Sequence, residues 1–211
     1  MDTKKNTILL TVIAIATLLV AVVGATFAYF TAQGGDASEA KVTVSTGTAG
    51  NSTLGTYKPI NIYADATNFG QGKGNLSDTS TGSVTWTAPG GDDVAAADLS
   101  FCYTAKLAVT ENTFVYSSTN TTQAAELTLK AEKNGTILLD DRDITVGKAD
   151  VLIPTEKDGS ETIHKITATP GGEKSDNWTL TVTLVNLGVD QNDNTSKQFS
   201  GVVQFTKTDC K

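Results

Sequence analysis

One histidine, two cysteines and one methionine, the initiator, are all that 211 residues offer to soft-metal binding or imidazole catalysis. His164 lies in Thr162-Ile163-His164-Lys165-Ile166, where strand alternation places it opposite Ile163 on the polar face. A zincin-type site needs two histidines one helical turn apart in H-E-x-x-H, and a single imidazole cannot make that clamp. No serine sits in G-x-S-x-G, so a hydrolase of that type lacks its nucleophile elbow. Hard-oxygen chemistry has one opening, Asp190-Gln191-Asn192-Asp193-Asn194, which begins like a D-x-N-x-N calcium loop. Thr195 stands where that loop needs glycine and Gly201 where it needs a bidentate Glu, which excludes an EF-hand. A weak calcium site completed by other loops, or a solvated turn, stays open there, and Asp140, Asp141 and Asp143 are read the same way. Gly70-Gln71-Gly72-Lys73-Gly74 has the glycine density of a phosphate loop without the hydroxyl after its lysine, and is read as a surface loop. No catalytic residue, cofactor or metal ligand is assigned, and the expectation is a chain that is not an enzyme.

Charge narrows the partners. Lys and Arg number 16 against 23 Asp and Glu, a formal charge of -7, so phosphate backbones are repelled and no nucleic-acid partner is expected. Charged residues are only 18% of the chain, and its polarity comes instead from Thr, Ser, Asn and Gly. Cys102 and Cys210 leave three states open: one intramolecular bridge, linkage between copies, or two free thiols. The bridge is preferred, because export would place both in an oxidising compartment.

The elements that must carry these residues are strands. Trp178, Leu180, Val182 and Leu184 share one face while Thr179, Thr181 and Thr183 take the other, and Phe199, Gly201, Val203 and Phe205 repeat the pattern. Leu127, Leu129 and Ala131 alternate into Asn134-Gly135, a dipeptide suited to positive φ, and Thr136 to Leu139 return as a hairpin. Further strands are expected at 41–45, 60–64, 83–87, 99–110, 113–117, 144–146, 151–153 and 162–168. The Ala-rich stretch 92–98 invites one helical turn or two. Many short strands between Gly, Asn and Asp clusters predict an all-β fold, an antiparallel β-sandwich of jelly-roll or Greek-key type, preceded by an N-terminal apolar signal helix.

That leader is distinct from the rest. No charge occurs between Lys5 and Asp36, and Thr7 to Phe30 form a nearly unbroken apolar run of 24 residues behind Lys4 and Lys5. Thr26 and Ala28 supply the small residues a signal peptidase requires, placing the cut between Ala28 and Tyr29. At about 1.5 Å per residue the run is also long enough to span a bilayer, so a retained membrane anchor remains the alternative. The organisation expected is a signal peptide at 1–28, a flexible arm at 29–40 and a β-sandwich domain at 41–211.

Gly24-Ala25-Thr26-Phe27-Ala28-Tyr29-Phe30-Thr31 resembles the SipW-type signal peptides of the TasA and camelysin family, bacterial biofilm-matrix proteins, with archaeal pilins of similar build. The resemblance covers the first 32 residues. It implies a secreted subunit of an extracellular fibre or matrix at the cell surface that polymerises by donating an N-terminal strand to the next copy. Tyr29 to Gly35 would be the donor, with Tyr29 and Phe30 as its anchors. The implied partners are further copies of the chain, accessory matrix proteins and signal peptidase during export, with membrane contact only before processing. A metalloprotease activity, also implied by camelysin-like proteins, conflicts with the single histidine. The other expectation is a monomeric or membrane-anchored adhesin or ligand-binding module.

Overall fold

Apolar residues spaced by two, set against Ser and Thr, produce eleven strands in the computed structural model, which describes residues 42–45, 50–56, 58–90 and 94–210. All of these lie in one compact unit, Glu39–Lys211, and a second unit, Met1–Ser38, falls outside the described residues. The strands are β1 (Val42–Ser45), β2 (Asn51–Thr56), β3 (Ile60–Ala64), β4 (Leu76–Thr87), β5 (Ser100–Asn112), β6 (Leu127–Lys133), β7 (Thr136–Asp143), β8 (Val151–Leu152), β9 (His164–Thr167), β10 (Glu173–Leu184) and β11 (Lys197–Thr208). There is no α-helix among the described residues, and the stretch around 92–98 contributes a single 3₁₀ turn, Ala96–Leu99.

Two antiparallel sheets result. Sheet A runs β1-β2-β4-β10-β6-β7; sheet B runs β3-β11-β5-β8, with β9 also pairing β5. The sheets face each other across one apolar core, as in a β-sandwich. Trp178, Leu180, Val182 and Leu184 of β10, with Leu127 and Leu129 of β6, bury against Ile60, Tyr103, Leu107 and Phe199 of sheet B. Trp178 joins the two layers, its ring meeting His164 at 4.8 Å, Phe205 at 6.0 Å and Tyr103 at 6.2 Å between centroids. Gly82 of β4 lies beneath this cluster, where an added Cβ would stand 2.7 Å from the Phe205 ring and 2.8 Å from the Gly55 carbonyl.

The hairpin between β6 and β7 turns on Asn134 and Gly135, with φ of 51° and 79°, the geometry that favours this dipeptide. Two expected strands are not strands, 113–117 and 144–146. Side chains capture their backbones instead: Phe114 N–H donates to Asn112 Oδ1, Val115 N–H to Asn194 Oδ1 and Thr145 N–H to Asp143 Oδ1. Two strand segments had little apolar signal, a single leucine each, Leu54 and Leu76. These are β2 and the first half of β4, where Ser52, Ser80 and Gly82 occupy inward positions.

His164 also departs from expectation. It is 1% exposed and shares the inner side of β9 with Ile166, while Lys165 and Thr167 face outward. Counting from Ile163 set the phase wrongly, because the strand begins at His164 and Ile163 precedes it.

The outer face of sheet A is lined with hydroxyls. Ser77 bonds Thr183 at 2.9 Å, Thr79 bonds Thr181 at 3.1 Å and Thr85 bonds Ser175 at 2.8 Å, each pair directly opposed across β4 and β10.

Cys102 of β5 and Cys210 form a disulfide, with Cα atoms 5.2 Å apart and 108 residues of sequence between them. Thr208 is the last residue of β11 in register, opposite Cys102, so the bond fastens the strand where its pairing ends. Reduction is expected to cost about 2–5 kcal/mol on the loop-closure account. Chemical denaturation with and without reductant checks this, and an unchanged midpoint would contradict it.

Candidate functional site

Ala28, Tyr29 and Phe30, the cleavage and donor-strand candidates, lie outside the described residues. The loop Asp190–Asn194 is described, and one side-chain oxygen each of Asp190, Asp193 and Asn194 accepts from a backbone N–H. Asp190 Oδ1 accepts from Asn192 N–H at 3.0 Å, Asp193 Oδ2 from Ser118 N–H at 2.7 Å and Asn194 Oδ1 from Val115 N–H at 3.0 Å. Asn194 and Gln191 are buried and point into the protein. Among the described residues no group of three or more His, Cys, Asp or Glu side chains is arranged to hold a metal ion.

What this loop surrounds is Glu126, which sequence reasoning did not identify. Glu126 is 0% exposed and directly precedes β6. One carboxylate oxygen accepts from Ser117 N–H (2.6 Å) and Asn120 Nδ2 (2.9 Å); the other accepts from Ser117 Oγ (2.8 Å), Gln191 Nε2 (2.8 Å) and Asn194 Nδ2 (2.7 Å). Its donors are all neutral, and they come from two loops, 113–126 and 185–196. Burial pushes the Glu126 pKa up, but the hydrogen bonds from Gln191, Ser117 and Asn120 together outweigh it and hold the carboxyl below the usual range. A charge of this kind, removed from water and satisfied by dipoles alone, fixes loop geometry. Its partners are 6 to 68 residues distant in sequence, so no local motif announces it.

At the other end of the core a second polar group is enclosed. Tyr103 Oη donates to Asp176 Oδ2 at 2.6 Å and accepts from Trp178 Nε1 at 3.1 Å. Burial first, then Asp176, raises the Tyr103 pKa and keeps the phenol neutral. His164 Nε2 lies 3.1 Å from the Ile153 carbonyl and Nδ1 lies 3.4 Å from Lys133 Nζ. Donation from Nε2 leaves Nδ1 to accept from the ammonium. Burial, assisted by Lys133, lowers the His164 pKa to about 4, so the ring is neutral and structural.

A cleft of about 850 Å³ opens on the flank where β7 closes sheet A and β8 closes sheet B. Val109, Leu139, Val151 and Phe199 supply apolar lining, and Asp140, Asp141, Asp143, Asp150 and Asp158 give it an acidic rim with Arg142. Asp150 pairs with Lys106 at 2.6 Å and Asp140 with Lys157 at 3.4 Å, exposed pairs of small energetic value. β7 is irregular beside the cleft: its register with β6 shifts between Leu129 and Ala131, and Asp141 has φ of 49°. Bulges and charges of this sort discourage indiscriminate pairing along an edge. The edge of β3 is guarded differently, by Asp78 Oδ2 accepting from Asn61 N–H and Asn68 Nδ2 donating to the Tyr63 carbonyl. Val146 and Leu152 beside the cleft are 56% and 53% exposed.

Comparison with family models, curated proteins and solved structures finds no match to this chain.

Two groups here share a pH signature. Glu126 has a folded pKa below its unfolded value, so its stabilisation is present at neutral pH and lost as pH falls through the folded pKa. His164 takes up a proton more readily when unfolded, which removes stability from about pH 6.5 down toward about 4. The unfolding free energy should therefore decline on acidification in two stages. Glu126→Gln, which sets an amide N–H₂ against buried donors, is expected to cost about 1–3 kcal/mol at pH 7 and to flatten the lower stage. Denaturant titrations from pH 7 to 3 measure both, and a variant with wild-type stability and slope would contradict the assignment.

Proposed function

We propose that this chain is a secreted structural subunit of an extracellular fibre, pilus or biofilm matrix, assembled by donation of its N-terminal arm after the signal peptide is removed. The carrying observation is a juxtaposition in sequence and fold. An aromatic pair, Tyr29-Phe30, directly follows a small-residue cut at Ala28, and the domain behind it has the edge strands β7 and β8 beside an apolar, acid-rimmed cleft. Cleavage would leave Tyr29 with a free α-amino group, positively charged near neutral pH. That charge suits the acidic rim, and the two rings suit Val109, Leu139, Val151 and Phe199 beneath it. The arm has no charged side chain between Tyr29 and Gly35 to oppose burial. A disulfide fastening the C-terminus accords with an oxidising, extracytoplasmic location. The sheet connections, in which most neighbouring strands are not consecutive in sequence, favour the jelly-roll or Greek-key class within the sandwich architecture. On this reading the chain performs no catalysis. A monomeric or membrane-anchored adhesin is the second reading, favoured by an apolar run long enough to cross a bilayer and by a cleft within the size range of ligand sites.

Secreted wild-type protein should begin at Tyr29 and form filaments under the electron microscope. Deleting Tyr29 to Gly35 should abolish the filaments and leave a folded, soluble monomer. Filaments that survive the deletion, or wild-type material that retains its leader, would overturn the proposal.

A further inference from the structure

We infer that the outer face of sheet A is a contact surface between copies of this chain, pairing two such faces about a two-fold axis. The inference is independent of the arm and does not require donor-strand assembly.

The face owes its character to four adjoining strands, β2, β4, β10 and β6. Across β4 and β10 the opposed outward residues are Ser77–Thr183, Thr79–Thr181, Thr81–Thr179, Ser83–Asn177, Thr85–Ser175 and Thr87–Glu173, and Thr53 of β2 continues the row opposite Thr85. Along β4 and β10 the outward residues between Ser77 and Ser175 carry no charge; the nearest charges are Lys130 and Glu132 of β6, in register with Thr181 and Thr179. Glu173 stands at one end of β10, and on β6 Lys130 and Glu132 neutralise each other at 3.1 Å. A chain with formal charge -7 repels its copies, and a self-facing contact doubles every unpaired charge it contains. A face whose two central strands are uncharged, and whose Lys130 and Glu132 cancel, is the one on which two copies approach with little of that cost.

Burial here is also cheap in entropy. Thr is stiff at χ1, and the hydroxyls at 77, 79, 85, 175, 181 and 183 already bond across the strands. Each keeps a partner when water leaves, so the desolvation of a bare hydroxyl is avoided. Sheet B presents Lys106, Lys165, Tyr63 and Gln204 on its outer side, long or bulky side chains whose ordering is costlier. Twelve-residue strands at about 3.3 Å per residue, with shorter β2 and β6 beside them at about 4.8 Å spacing, make a face of roughly 600 Å². Two such faces bury on the order of 1,200 Å², the lower end of what a stable specific interface needs. Their twist is accommodated by the oblique packing usual for stacked sheets.

The test uses the secreted mature chain. Thr81→Glu with Thr85→Glu places carboxylates at the centre of the face, and Gln204→Glu with Thr206→Glu makes the same charge change on sheet B. Sedimentation over a concentration series should show a two-fold species for the wild type, tighter at high salt, where repulsion between copies is screened. If the material is filamentous, filaments should lie side by side in pairs. The sheet A variant should weaken this association by on the order of tenfold or more, as like charges across a contact do, and the sheet B variant should leave it unchanged. Thermal melts confirm folding; should the double variant fail to fold, Thr81→Glu alone, at an exposed position, should show a smaller loss. A wild type that is single at every concentration overturns the inference. So does a sheet A variant that pairs as the wild type does, or a sheet B variant that loses pairing.

Discussion

Twelve consecutive residue pairs bind β4 to β10, and they join segments roughly a hundred residues apart in sequence. This non-local pairing is the constraint on which the rest depends. It sets the centre of sheet A, it orients Trp178 toward sheet B, and through Trp178 it fixes the facing aromatic layer of Tyr103, His164 and Phe205. Pairing of this kind costs loop-closure entropy before any contact returns it, which marks the chain as a slow folder among domains of its size. β5 and β11 repeat the arrangement in sheet B, and there a covalent bond between Cys102 and Cys210 secures the pairing.

The two faces of β10 solve different problems with one alternating sequence. Inward, Trp178, Leu180, Val182 and Leu184 are removed from water. Outward, Thr179, Thr181 and Thr183 keep a β-favouring branched shape while offering hydroxyls instead of methyl-only side chains. Polar groups that do enter the interior are all accounted for: among the described residues no buried side-chain nitrogen or oxygen lacks a hydrogen-bond partner. Glu126 is the most demanding case, and five neutral donors from two loops meet it.

Sequence pattern alone reached the all-β class, two antiparallel sheets and the strands with clean alternation. β3 was legible to its ends because Ile60, Ile62 and Ala64 face in while Asn61 and Tyr63 face out. The hairpin was legible because only a few dipeptides accept two successive positive φ values. β2 and the front of β4 were hidden because Ser52, Ser80 and Gly82 fill inner positions where a strand ordinarily shows apolar residues. False strands arose at 113–117 and 144–146, where local β propensity was overridden by Asn194, Asn112 and Asp143 capturing the backbone. The site was harder still. Glu126 and the cleft are assembled from residues far apart in the chain, and no spacing rule brings them together before the strand order is known.

The bond at Cys210 has a mechanical consequence. A tensile load applied at the C-terminus does not peel β11 away pair by pair. It passes through the sulfur bridge into β5 at Cys102, and the paired stretch from Gly201 to Thr208 is shunted out of the force path. The last strand is thereby shielded from unzipping at its own end.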